Sequence, residues 1–195
     1  MYQSLRDFPK NFQQVTDMAC FNIELSSLRN EIPHLKAGDR VLLSGTAYTA
    51  RDAAHKKIFS LLDEGKEIPL DIKDACIYFA GPTPTPEGLA IGSCGPTTSC
   101  RMDKFSPRLL DLGLAGMIGK GDRNDEVRDA IVRNGGIYFC AIGGAGALYS
   151  RHITACEEIA FHELGCESIK RLTLKDFPVY VGIDSQGNCI SDKES

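Results

Sequence analysis

A chain of 195 residues, 43% of them hydrophobic and 25% charged, has the profile of a globular protein and argues against collagen-like, disordered and membrane-spanning classes. With 22 Lys+Arg against 26 Asp+Glu the net charge is −4. The basic residues are scattered, so the chain offers no footprint for a polyphosphate backbone and nucleic acid is not an expected partner. The length suits a single domain over 1–195. No apolar run approaches the ~20 residues that span a bilayer. The segment from Met1 to Lys10 mixes charge with Pro and lacks the apolar stretch of an export signal, so no membrane role and a cytosolic address are expected. The 8 cysteines are dispersed without any C-x-x-C spacing, which supports neither a zinc ribbon nor a ferredoxin-type cluster; most read as reduced, buried small hydrophobes.

Gly and Pro punctuation divides the chain into strand-then-helix units, with no internal repeat. The pattern predicts an early strand over 21–28, a turn over 35–39 and a short buried strand over 40–44 ending at Gly45. A helix follows over 49–64, with Ala53, Ala54, Ile58, Leu61 and Leu62 on one side. A strand over 75–80 runs into Gly81-Pro82-Thr83-Pro84-Thr85-Pro86, where the prolines forbid a helix and set an extended loop. Next come a short strand over 90–94, a break at Gly95-Pro96, and a helix over 99–112 capped by Gly113. The unit repeats as a strand over 115–119, a helix over 125–134 and a strand over 136–142. Gly143, Gly144 and Gly146 lead into a long amphipathic helix expected over 147–164. Strands over 169–174 and 179–184, then a hairpin turn at Gln186-Gly187-Asn188, close the pattern. Alternating β and α elements imply an α/β domain whose helices cover a largely parallel central sheet, and the strands at both ends suggest a second β layer.

In open α/β sheets ligands bind beyond the carboxyl ends of the strands, so the turns there carry the chemistry. Arg51 falls in the first turn of its predicted helix, where free N–H groups and the macrodipole already favour an anion and a guanidinium can grip a carboxylate with two bonds. Arg101 repeats the arrangement behind Thr97, Thr98 and Ser99. Lys120 sits between Gly119 and Gly121, so backbone can approach a ligand while one charge projects. These cations at strand ends suit a small dianion. The competing reading is local pairing: Arg51 with Asp52 or Glu64, Arg101 with Asp103, and Lys120 with Asp122.

Other signatures fail. Gly119-Lys120 resembles the end of a phosphate-binding loop, but Leu114 stands where the first Gly is needed and Gly121 where magnesium needs Ser or Thr. Gly144-Ala145-Gly146 is an incomplete dinucleotide fingerprint, because Tyr149 takes the place of the third Gly. His55, His152 and His162 fall on predicted helices, where structural or solvated roles are commoner than catalysis. Cys94 and Cys100 flank the Thr-rich turn, with Cys100 beside the cationic Arg101, but no His partner is visible.

Four segments in order carry a resemblance: Ser44-Gly45-Thr46-Ala47-Tyr48-Thr49-Ala50-Arg51-Asp52-Ala53-Ala54-His55-Lys56, Tyr78-Phe79-Ala80-Gly81-Pro82, Gly95-Pro96-Thr97-Thr98-Ser99-Cys100-Arg101-Met102-Asp103, and Met117-Ile118-Gly119-Lys120-Gly121. Together they resemble the beta subunit, or the C-terminal domain in single-chain members, of the iron-sulfur hydro-lyases of the class I fumarase and tartrate dehydratase family, over roughly 21–184. The resemblance implies a swivelling three-layer β/β/α domain that closes over a 4Fe-4S cluster. The cluster would be bound by a partner alpha subunit through its cysteines, its open iron acting as a Lewis acid. It also implies that Arg51, Arg101 and Lys120 bind the substrate carboxylates, with Thr98 beside them, and that Thr97 contacts the reacting end and assists proton transfer; Thr97, Arg101 and Lys120 are then the catalytic residues. Cys100 departs from the family, which often has Gly there.

Adding water across fumarate requires activated hydroxide, a proton donor or acceptor at the adjacent carbon, and neutralisation of a developing aci-carboxylate. The expectation is therefore the beta subunit of a fumarate hydratase, making (S)-malate within a hetero-oligomer and inert alone. An L-tartrate dehydratase beta subunit, a non-catalytic dicarboxylate-binding module, and a cysteine-dependent enzyme using Cys94 or Cys100 are the alternatives.

Overall fold

The computed structural model describes residues 20–194. The Met1 to Lys10 segment, read above for an export signal, lies outside them. Seven strands form a mixed sheet: β1 (Cys20–Glu24), β2 (Arg40–Thr49), β3 (Cys76–Tyr78), β4 (Gly116–Gly119), β5 (Ile137–Cys140), β6 (Ile153–Ala160) and β7 (Ile169–Ile183). Strands β1 to β5 pair in parallel in that order, and the 15-residue β7 runs antiparallel to β5, β6 and β2. Because β7 returns to β2, the sheet closes on itself through β2, β3, β4, β5 and β7. Among the described residues five α-helices accompany it: α1 (Leu28–Glu31), α2 (Asp52–Asp63), α3 (Ser106–Asp111), α4 (Asp125–Asn134) and α5 (Gly146–Tyr149). No helix among the described residues is long and apolar enough to cross a membrane.

Period-two alternation divides the core. Cys76 and Tyr78 of β3, Ile118 of β4, Ile137 and Phe139 of β5, and Leu172, Leu174, Phe177, Val179 and Val181 of β7 form one buried cluster on the face enclosed by the strands. The intervening Ile77, Met117 and Tyr138 point the other way, into a second cluster with Ala54 and Ile58 of α2, Leu109 and Leu110 of α3, and Val127, Ala130 and Ile131 of α4. Helices and sheet thus share one apolar layer.

Several expectations are corrected. The early strand ends at Glu24, where short helical turns begin. β2 does not stop at Gly45: that residue takes φ +104°, the register with β7 shifts between Leu43 and Gly45, and pairing resumes through Tyr48. Residues 90–94 form no strand. The helix expected over 99–112 is split into a 3-10 turn (Ser99–Met102) and α3, because Pro107 has no N–H to give the carbonyl a turn earlier. The helix expected over 147–164 is α5, another short turn and the strand β6, so His152 and His162 flank a strand. The two last strands are one continuous β7. By contrast α4 spans the expected 125–134, with the Asn124 side chain accepting from the Val127 N–H and Gly135 closing it at φ 57°.

Candidate functional site

The parallel strands β2, β3 and β4 deliver their following turns to one edge of the sheet. Arg51 is the N-cap of α2, two residues after β2; its carbonyl accepts both the His55 N–H and Nδ1, each at 2.8 Å. The Arg51 guanidinium crosses Gly81, where an added Cβ would lie 2.6 Å from Nη1; only Gly leaves this space. Its ion pair is with Glu167, Nη2 to Oε1 at 3.7 Å, too long for a hydrogen bond, and its Nε is buried without a hydrogen-bond partner. The other Glu167 oxygen accepts from the Ala53 N–H at 2.9 Å and so satisfies a free donor in the first turn of α2.

Arg101, in the 3-10 turn that starts at Ser99, directs Nη2 to Thr97 Oγ1 at 2.7 Å and to Asp52 Oδ2 at 3.0 Å. Lys120 is the first residue after β4. Its N–H donates to the Thr97 carbonyl at 3.3 Å and its carbonyl accepts from Ser99 at 2.9 Å, so Thr98 and Lys120 pair as a short parallel bridge. The Lys120 side chain lies against Gly143, and it forms no ion pair among the described residues. Thr98 is exposed beside it. The structure therefore links Arg51, Asp52, Arg101, Thr97 and Lys120 in one run along the sheet edge.

The local pairings weighed from sequence do not form. Arg51 meets Glu167 rather than Asp52 or Glu64, and Asp52 meets Arg101. Asp103 is engaged by Arg123 at 2.6 Å, a pair whose two side chains are 0% and 9% exposed. Asp52 and Ser99 were named from sequence but in other roles; the residues that sequence reasoning missed are Glu167 as a carboxylate partner, Gly81 as the floor under Arg51, and Arg123 and Tyr138 beneath the two turns. Gly81 and Asp52 stood inside the recognised segments; Glu167 carried no local signal.

Neither His55 nor Cys94 suits proton transfer or attack at this edge. Burial pulls the His55 imidazole down to about 4, despite its bond to the Arg51 carbonyl, and it stacks on Phe105 at 5.3 Å between centroids. Burial pushes the Cys94 thiol up to about 12, the reverse of an activated nucleophile. Cys100 is exposed. Among the described residues no three His, Cys, Asp or Glu side chains gather as a metal site.

A family model described as Fumarase C-terminus matches residues 2–193. The chain belongs to the fumarase C-terminal family. It is 36% identical over 194 residues to fumarate hydratase 2 of Leishmania major, covering 98% of this chain and 34% of that protein. It is 38% identical to the anaerobic class I fumarate hydratase of Escherichia coli K12, covering 92% of this chain and 34% of that protein. A Methanocaldococcus jannaschii protein, provisionally named L(+)-tartrate dehydratase subunit beta, is 34% identical, with 85% of this chain and 88% of that protein aligned. The chain thus spans about a third of the fumarate hydratases it matches and nearly the whole of a protein named as a beta subunit. These relatives are by name fumarate hydratases and an L(+)-tartrate dehydratase subunit.

Proposed function

We propose that this chain is the beta component of an iron-sulfur-dependent fumarate hydratase, interconverting fumarate and (S)-malate at a site shared with a cluster-bearing alpha subunit. The observation that carries the reading is the unbroken run from Arg51 through Asp52, Arg101 and Thr97 to Lys120 at the carboxyl edge of the parallel strands. The domain over 1–195, its swivelling three-layer character and a cytosolic address belong to the same proposal. The cluster is assigned to the companion, and the steps given to this chain are binding and proton handling.

Arg51, Arg101 and Lys120 hold the two substrate carboxylates, with Thr98 exposed at the rim. Arg51 makes only a long contact to Glu167, so its guanidinium can exchange that carboxylate for the substrate's; among the described residues Lys120 has no carboxylate to surrender. As an aci-carboxylate develops, fixed guanidinium and ammonium groups stabilise the added charge without reorganising. Thr97 Oγ1 accepts from Arg101, which leaves its own proton free for an outward donor role and stabilises negative charge on the oxygen when that proton departs.

Co-expression with a neighbouring cluster-bearing chain, followed by anaerobic assay of fumarate hydration and of L-tartrate dehydration, tests this. Fumarate turnover supports the reading, tartrate turnover alone moves the chain to the dehydratases, and turnover of neither with a reconstituted cluster ends it. The tartrate reading has its own support in the provisionally named beta subunit, 88% of whose length aligns with this chain.

A further inference from the structure

The turns bearing Thr97 and Lys120 are fastened from below by a buried residue outside the run just described. Tyr138, in the middle of β5, is 1% exposed, and its Oη lies 2.9 Å from Ser99 Oγ and 2.8 Å from the Gly121 carbonyl oxygen. A carbonyl only accepts, so the phenol proton goes to Gly121 and the Ser99 hydroxyl donates back to Oη. Burial holds the phenol well above its ordinary range, so the donor is retained. Gly119 makes room for this bridge: a Cβ there would stand 1.9 Å from Ser99 Oγ.

The ring itself is fixed. The Arg123 guanidinium stacks 5.0 Å from the Tyr138 centroid and 5.3 Å from that of Phe79, while donating to Asp103 at 2.6 Å and to Ser106 at 2.5 Å. Asp103 also accepts from the Asn124 N–H at 3.0 Å. Every polar group of this buried cluster that bears on Tyr138 therefore has a partner, the arrangement that makes a network rigid.

We propose that Tyr138, acting through Ser99 and Gly121, is a positioning residue that sets the spacing of Thr97 and Lys120 for the dicarboxylate. It does not touch substrate; it locks two turns whose backbones meet, among the described residues, through the short Thr98–Lys120 bridge. The inference rests on the site reading above, and the test separates the two.

The variants are Tyr138→Phe and Ser99→Ala in the chain assembled with its companion, with Ile137→Val, the preceding residue of β5 whose side chain packs on the opposite face of the sheet, as the control for general loss of stability. In Tyr138→Phe, amide hydrogen exchange should accelerate about tenfold or more at Ser99 and Lys120 and stay unchanged at Ile118 and Phe139 in the adjoining strands. The KM for fumarate should rise about tenfold with kcat within about threefold of the parent, and Ser99→Ala should add little when combined with it. Ile137→Val should lower the thermal midpoint and leave KM in place. Unchanged exchange at Ser99 and Lys120 overturns the proposal. So does faster exchange with an unchanged KM, provided that Arg101→Ala raises KM. If Arg101→Ala and Lys120→Ala both leave KM unchanged, the site reading falls and takes this one with it.

Discussion

Arg101 shares one nitrogen between Thr97 and Asp52, so its removal frees a hydroxyl and strands a carboxylate at the same point. Arg101→Ala should lower kcat/KM by about 10- to 100-fold, the scale of one charge-assisted hydrogen bond, and Arg101→Lys should recover little because a single ammonium spent on Thr97 and Asp52 lacks the guanidinium's further nitrogens for a substrate carboxylate. Steady-state kinetics of the assembled enzyme checks this. His55 gives a prediction in pH. Its imidazole is held near 4 in the folded chain against about 6.5 unfolded, so between those values the unfolded chain binds the extra proton and stability falls as pH falls. The loss approaches about 3 kcal/mol at the acid end. Thermal midpoints measured from pH 7 to pH 4 should decline more steeply for the parent than for His55→Phe, which has no proton to bind.

At the scale of elements, Gly119 and the buried Arg123–Asp103 pair carry the burden. Gly119→Ala drives a methyl group into Ser99 Oγ and Phe79, and should cost about 1–3 kcal/mol while displacing Lys120. Asp103→Ala leaves a fully buried guanidinium unpaired and should cost about 3–5 kcal/mol, seen as a fall of roughly 6–20 °C in thermal midpoint. The same elements explain what could be read in advance. Helix α4 was legible to the residue because both its caps, Asn124 and Gly135, are local signals. β6 was not: it pairs only with β7, and two register shifts at Ile153/Ala155 and Glu158/Ala160 erase the alternation that marks a strand, leaving spacing that mimics a helix. The places of Arg51 and Lys120 were legible because each follows a strand; Arg101 stood out by its Thr-rich turn alone, since the strand expected before it does not form. Glu167 and Tyr138 were not, since one reaches Arg51 across more than a hundred residues and the other reads as ordinary strand core.

Across the whole molecule, β7 is the strand on which closure depends. Over its first half it pairs with β6 on one edge and β2 on the other, so Thr173 faces both Thr46 and Ala155. Pro178 lies beyond the β6 pairing and before the β5 pairing, opposite Leu42 of β2, where a missing N–H is tolerated as on an edge strand. Thr173→Pro should therefore abolish cooperative unfolding, as followed by near-ultraviolet circular dichroism, although a proline five residues later is native.

Glu167 divides its two oxygens between separate tasks, one steadying the opening turn of α2 and the other leaning loosely on Arg51. An incoming acid has to win only the looser of these. The guanidinium can change hands while the helix behind it keeps its anchor, so the scaffold stays put as the ligand settles.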